Sequence, residues 1–476
     1  MKLDDARAKS REIVATRCAA AAAAGDSRRI PVRIFAARCW HRIGGRGRVR
    51  LVEGRGDDCV GGERKKSGWG MLGPGLLLAA TGVGSGDLAT GAIAGALLGT
   101  AVLWAAVAGS FLKFVVTEGL ARWQLATGET LLEGAAHRFG PVALWLFLPY
   151  LVLWSFFVGS AQMSASGVTL HAMLPVFADA RDGKVVFGIA AALTGLAMVW
   201  LGGYRLFEIV MRVCIGLMFV TVVTTAVLLW PGSAAVVSGI VIPRIPDAGG
   251  EGLAWTIALM GGIGGTLTVL CYGYWLREEG FTGPADLRAS RVDLGIGYAM
   301  TALFGVAMVI VGTAVQVEGG GAGLLVALSG RLEEILGPAG KWLFLLGSFG
   351  AVFSSLLGVW QAVPYLFADT WSLLRHRHDP DTVRAAVDTR GRPYRIYLVL
   401  LAVLPMAGLF FTFREVQKLY AVIGAWFFPA LAFVLLILNG RAAWVGGRHR
   451  NRPLTTLVLL AVLAFFTWLA WNSFGE

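Results

Sequence analysis

Thr81-Gly82-Val83-Gly84-Ser85-Gly86-Asp87 interrupts an apolar block over residues 72–98. Three glycines in seven residues make a poor helix, because each loses more backbone freedom on ordering than any other residue. A carboxylate in the middle of such a block is also costly in hydrocarbon. A second block, over 253–276, carries a counterpart in Gly261-Gly262-Ile263-Gly264-Gly265-Thr266, followed by Cys271-Tyr272-Gly273. Each interruption alone reads equally as a place where helices pack closely on glycine. Together they read as a pair of broken helices. Unwinding frees backbone carbonyls and half-helix ends to face a solute, which is tolerable only around a cavity.

The surrounding composition fits a membrane setting. Hydrophobic residues make up 56% of the 476, charged ones 15%, and glycine contributes 64 residues. Mean hydropathy is +0.66. A soluble fold with so few charges would expose large apolar patches. The apolar residues come in blocks of roughly 20, the length that spans ~30 Å of hydrocarbon as helix. Eleven such blocks follow one another, at about 72–98, 101–124, 141–174, 184–201, 207–230, 253–276, 291–316, 340–371, 395–412, 418–438 and 454–473. The expected fold class is an all-α polytopic membrane protein over 67–476. Spans 1–5 and 6–10 are read as inverted repeats, which puts the two interruptions at corresponding places, and span 11 is peripheral. With the N-terminus in the cytoplasm, the inside connections hold 16 arginines and the outside ones 7 arginines and lysines. That bias follows the positive-inside rule and puts the C-terminus outside the cell membrane.

Residues 1–66 differ from everything that follows. Residues 1–70 carry 17 Lys and Arg against 8 Asp and Glu, so most of the chain's net charge of +12 sits on this tail. A disordered basic arm on anionic lipid, a targeting peptide and a mis-annotated start preceding a true one near Met71 are all open readings. The location of the charge excludes a nucleic-acid-binding patch. The five cysteines form no disulfide framework, with Cys18, Cys39 and Cys59 in the tail and Cys214 and Cys271 in apolar blocks. No P-loop, nucleophile elbow or paired-cysteine metal site is present, so neither an enzyme nor a cofactor is expected.

Other polar residues inside the spans are weaker candidates for a solute path. Lys113 and Glu118 lie in span 2, and Glu118 stands four residues before Arg122, the spacing of a helical ion pair. Lys113 is deeper and must either snorkel or face the interior. Ser354, Ser355 and Gln361 in span 8 could line the path, although hydroxyls commonly bond within their own helix. His171, alone near the end of span 3, reads as structural.

Several ordered motifs resemble the Nramp family of divalent-metal transporters. Gly73-Pro74-Gly75-Leu76-Leu77 leads into span 1, and Leu88-Ala89-Thr90 follows the interruption. Leu120-Ala121-Arg122 with Ala126-Thr127-Gly128 is similar to the family's LAAR…TG. Gly203-Tyr204-Arg205-Leu206-Phe207-Glu208 is similar to its GFRxxE. The resemblance implies a LeuT fold with solute held between the breaks of helices 1 and 6. It also implies departures. Where the family carries D-P-G-N, this chain has Gly84-Ser85-Gly86-Asp87, and M-P-H aligns with Leu270-Cys271-Tyr272. The thioether that favours soft metals is thus missing, unless Cys271 replaces it by a one-residue shift. The acidic residues of the family's helix 3 fall in Leu151–Val158, which has no carboxylate.

The leading expectation is a transporter or uniporter for a hard divalent cation such as Mg2+ or Mn2+, with weak or absent proton coupling. Asp87 and the backbone carbonyls of Gly84 and Thr266 are the expected metal ligands. Ser85, Gly86, Leu270, Cys271 and Tyr272 complete the expected binding region. A transporter of a small organic solute such as an amino acid, on the same fold, is the alternative. The lipid bilayer and the transported cation are the only partners expected.

Overall fold

Two short helices separated by a two-residue break begin the structure, a computed structural model that describes residues 73–248, 250–314, 323–375 and 387–473. Residues 1–66, and every expectation attached to them, lie outside the described residues. Helix α1 (Pro74–Gly82) has proline at its first position, where no backbone N–H is needed. It ends where Val83 turns extended, at φ −80° and ψ 99°. Helix α2 (Ser85–Leu98) then restarts the chain. After a 3-10 turn at Gly99–Val102 comes α3 (Leu103–Thr127), which Gly128 closes in the left-handed conformation at φ +77°.

The described chain continues as α4 (Leu131–Phe139), α5 (Pro141–Met173), α6 (Ala180–Leu228) and α7 (Ser233–Val241). The second broken helix follows as α8 (Glu251–Gly262) and, after a 3-10 turn over Leu267–Leu270, α9 (Cys271–Glu278). Next come α10 (Leu287–Thr313) and α11 (Gly323–Arg375), the latter kinked at Gly337. Helices α12 (Arg392–Val403), α13 (Phe413–Ala425), α14 (Phe427–Leu438), α15 (Ala442–Val445) and α16 (Pro453–Ser473) complete it.

Nine stretches among the described residues are long and apolar enough to cross a membrane. The first, Ser85–Thr127, joins most of the first two expected spans through the 3-10 turn. Helix α6 divides into the stretches Ala180–Gly202 and Tyr204–Leu228. Pro453–Phe465 is a shorter apolar segment within the last helix. Large side chains such as Leu146, Leu201 and Val213 are exposed on these helices, as a lipid-facing surface requires.

Close backbone contact sets the positions of the broken helices. Gly95 of α2 faces α10 so tightly that a Cβ there would lie 2.1 Å from the carbonyl oxygen of Val309. Gly312 of α10 faces back, with a would-be Cβ 2.3 Å from the carbonyl oxygen of Ala92. Between bilayer-embedded helices no solvent-driven hydrophobic force operates, and such small-residue contacts supply the packing instead. At the other end, Asp293 of α10 accepts the backbone N–H of Gly75 at 2.6 Å and that of Gly73 at 3.2 Å. These are orphan donors at the start of α1, so α10 caps one half of the broken helix and packs along the other.

Candidate functional site

The two breaks touch each other. A Cβ on Gly82 would lie 2.7 Å from the carbonyl carbon of Gly264. Only glycine at the end of α1 permits this approach. In the second break Gly264 and Gly265 both take φ +79°, a region closed to most side-chain-bearing residues. Their turn frees the last carbonyls of α8 from helical hydrogen bonding and leaves them for other donors.

Asp87 stands at the junction, 1% exposed. Its Oδ2 accepts the N–H of Gly84 at 3.2 Å, capping the start of its own half-helix. Its Oδ1 accepts the N–H of Gly264 at 2.9 Å, across the contact between the breaks. One carboxylate thus holds both interruptions.

Lys113 reaches the same junction from α3. It is 2% exposed, so it faces the interior and does not snorkel. Its Nζ donates to the carbonyls of Gly261 and Gly265, each at 2.7 Å, and also to that of Ile263. Three acceptors match the three donors of an ammonium group. The ring of Phe428 lies 5.1 Å from Nζ, within cation–π range. No direct ion pair joins Lys113 to Asp87; the loop of the second break lies between them.

Span 8 reaches the first break through two serines, whose hydroxyls bond beyond their own helix. Ser354 Oγ donates to the carbonyl of Ala80 at 3.0 Å and Ser355 Oγ to that of Thr81 at 2.7 Å. These are carbonyls of the last turn of α1, which the break leaves without helical partners. Gln162 of α5 donates to Ser355 Oγ at 2.7 Å and accepts weakly from the N–H of Ser85 at 3.4 Å. Trp154 Nε1 donates to Thr266 Oγ1 at 2.9 Å. Gly86 leaves room for the ring of Tyr420 from α13, which would stand 3.3 Å from a Cβ. The hydroxyls of Thr81, Ser85 and Thr268 are buried in these segments without a partner. Buried polar atoms are normally satisfied, so these three hydroxyls stand out.

Not every expected residue meets at this junction. Leu270 and Cys271 come after the break, in the 3-10 turn and at the first position of α9. Tyr272 directs its hydroxyl to Ser290 at 3.0 Å and to Asp293 Oδ2 at 3.0 Å, toward α10 and the start of α1. Gln361 accepts from Trp275 Nε1 at 2.9 Å and ties α9 to α11. Glu118 forms its expected pair with Arg122 at 3.3 Å and a second with Arg291 at 2.7 Å. The carbonyls of Gly84 and Thr266 already accept backbone N–H groups, from Leu88 at 3.1 Å and Val269 at 3.3 Å. Their second lone pairs stay available.

Gln162, Trp154 and Tyr420 went unread in the sequence, as did Asp293 and Asp369. A glutamine in mid-span was a visible signal, since an amide in hydrocarbon needs a partner. The two aromatic residues gave none. Asp369 sits between Tyr274, whose hydroxyl it accepts, and Thr130. Nearby, Glu133 pairs with Arg277 at 2.8 Å.

Helices broken in mid-course, with their interruptions in contact around a buried carboxylate, define a polytopic membrane protein of the LeuT-like fold. The chain belongs to the Nramp family, whose description, "Natural resistance-associated macrophage protein-like", matches residues 75–475. It is 24% identical over 292 residues to the divalent metal cation transporter MntH of Yersinia enterocolitica, covering 60% of this chain and 69% of that one. It is 27% identical over 214 residues to MntH of Yersinia pestis, covering 43% of this chain and 49% of that one. The matched region thus spans about half to two-thirds of these curated relatives. A manganese transporter of Eremococcus coleocola, solved with an aromatic bis-isothiourea compound, has a similar structure. The TM-score is 0.66 at 16% identity, over 89% of this chain and 88% of that one. MhsT, solved with L-phenylalanine, is similar in fold at a TM-score of 0.54 and 15% identity, over 84% of this chain and 97% of that one.

Proposed function

We propose that the chain carries a divalent cation across the cell membrane by alternating access around the junction of the two breaks. The observation that carries this reading is Asp87, a fully buried carboxylate bound to the backbone of both broken helices. Among the described residues no three His, Cys, Asp or Glu side chains converge. A metal here would therefore be held by one carboxylate with backbone carbonyls, hydroxyls and the Gln162 amide. Such an all-oxygen set suits a hard ion, Mg2+ or Mn2+, better than a soft one. The relatives named as divalent metal cation transporters support the cation class. The organic-solute alternative keeps only a likeness of fold to MhsT.

Proton coupling is weak or absent in this reading. The helix segment Leu151–Val158 has no carboxylate, and Tyr272 is engaged with Asp293 instead of facing the junction. Eleven spans with the N-terminus in the cytoplasm remain the topology we propose. Uptake of Mn2+ and Mg2+ into proteoliposomes, by the parent and by Asp87→Asn, tests the function. Uptake by the parent and its loss in the variant are expected. Amino-acid uptake without cation uptake would overturn the proposal.

A further inference from the structure

A lysine ammonium occupies a set of three carbonyls in the second break. Three features mark it as more than a buried charge that happened to find acceptors. Its three acceptors all come from one five-residue stretch, Gly261 to Gly265, and converge on one atom. That convergence depends on two consecutive glycines at φ +79°, a conformation open to glycine and closed to most residues that carry a Cβ. The negative charge that answers the ammonium, on Asp87, lies on the far side of the same stretch, accepting from Gly264. This is the arrangement of a coordinated cation with a counter-charge behind its ligands, except that the cation is covalently part of the chain.

We propose that Lys113 is a tethered resident cation. It fills the carbonyl site of the second break whenever no transported ion is there, and a transported cation gains those carbonyls only by displacing it. The site then never stands empty of positive charge, and Lys113 weakens cation binding by competing for the same oxygens. The inference rests on the cation-transport reading for its second half alone. That an ammonium-type cation fits the cradle is independent of what the protein moves.

Two measurements at one fixed pH separate these parts. In Lys113→Ala the stem and ammonium are replaced by space, and the melting temperature should fall. Free n-propylammonium should restore it saturably, whereas tetramethylammonium, with the same charge and no N–H, should not. Equal effects of the two salts, or no effect of either, would overturn the tethered-cation assignment. The second measurement is Mn2+ binding by calorimetry to the parent and to Lys113→Gln, which keeps amide donors for the carbonyls and drops the charge. Affinity should rise on the order of ten-fold, an ordinary coupling between competing ligands. Unchanged or weaker Mn2+ binding in Lys113→Gln, beside measurable binding in the parent, would overturn the displacement. Absence of Mn2+ binding in both proteins would count against the cation-transport reading, and the n-propylammonium result would then decide the inference by itself. If Lys113→Ala is too unstable to purify, Lys113→Gln carries the test.

Discussion

Asp87 and Lys113 are joined through a single peptide unit. The carbonyl of Ile263 accepts from the Lys113 ammonium, and the N–H of the following residue, Gly264, donates to the Asp87 carboxylate. The peptide dipole lies between the two charges with each end facing the charge it favours. Two ions are thus buried without touching. Direct pairing in a low-dielectric interior rarely repays the full loss of hydration, whereas satisfied hydrogen bonds on each ion offset much of it. Each ion also keeps partners outside this peptide, Lys113 at Gly261 and Gly265 and Asp87 at Gly84.

Asp87→Asn should damage both stability and cation binding. Asparagine caps helices about as well as aspartate, so the substitution seems to isolate the charge. The structure removes that simplicity, because both carboxylate oxygens accept backbone N–H groups. An amide offers one oxygen, and its NH2 would face the second N–H. Leaving that donor unsatisfied costs about 1–3 kcal/mol. A thermal melt should show the loss, Lys113→Gln in the same chain should recover part of it, and Mn2+ affinity should fall in either background. Full stability with normal Mn2+ affinity would remove Asp87 from the site.

Gly265→Ala should abolish uptake while the protein still reaches the membrane. Its φ of +79° strains any residue with a Cβ, and that Cβ would lie 2.5 Å from Thr268 Oγ1 and 3.2 Å from Gly82 Cα. The strain alone is about 1–2 kcal/mol. The contact with Gly82 means that relief must come by separating the breaks. Normal uptake in this variant would show that the close approach of the two backbones is not needed.

Asp293→Ala should loosen the start of α1 without touching the cation site. The carboxylate accepts from Gly73, Gly75 and Tyr272; the two backbone donors lose their partner, while the Tyr272 hydroxyl keeps Ser290. A stability loss of about 2 kcal/mol or more is expected. Mn2+ affinity measured by calorimetry should stay near that of the parent. A large fall in affinity would mean that Asp293 belongs to the ion path.

Cation uptake into proteoliposomes should not acidify the lumen. A pH-sensitive dye trapped inside reads this directly. Cation-driven proton influx would contradict it and direct attention to the carboxylates of Asp87 and Glu118.

A chain beginning at Met71 should insert and transport like the full one. The composition break at about residue 66 motivates this expectation. Failure of the shorter chain to reach the membrane would assign the basic tail a role in insertion.

Both breaks were legible in advance because glycine clusters and a mid-span carboxylate conflict with helix and with hydrocarbon at once. What Lys113 does was not. Hydropathy established its depth, but an apolar helix that is buried on most faces gives no clue to which face carries a given residue. Its acceptors are also main-chain carbonyls, which any sequence could supply. Tyr272 is a different case. Motif alignment assigned it to the binding region, while the turn at Leu267–Leu270 and the start of α9 deliver its hydroxyl to Ser290 and Asp293. Asp293 and Asp369 were overlooked because each lies near the end of an apolar block, where a carboxylate reads as an ordinary flank.

The facing glycines Gly95 and Gly312 carry one more implication. At these two points main chain lies against main chain, so α2 and α10 stand as close as their backbones allow and any relative shift would have to break that contact. Since α10 also grips the N-terminal end of α1 through Asp293, bending in this broken helix is confined to the two residues between its halves. Any swing of α1 against α2 would therefore turn on Val83 and Gly84 and would require Asp293 to give up Gly73 and Gly75.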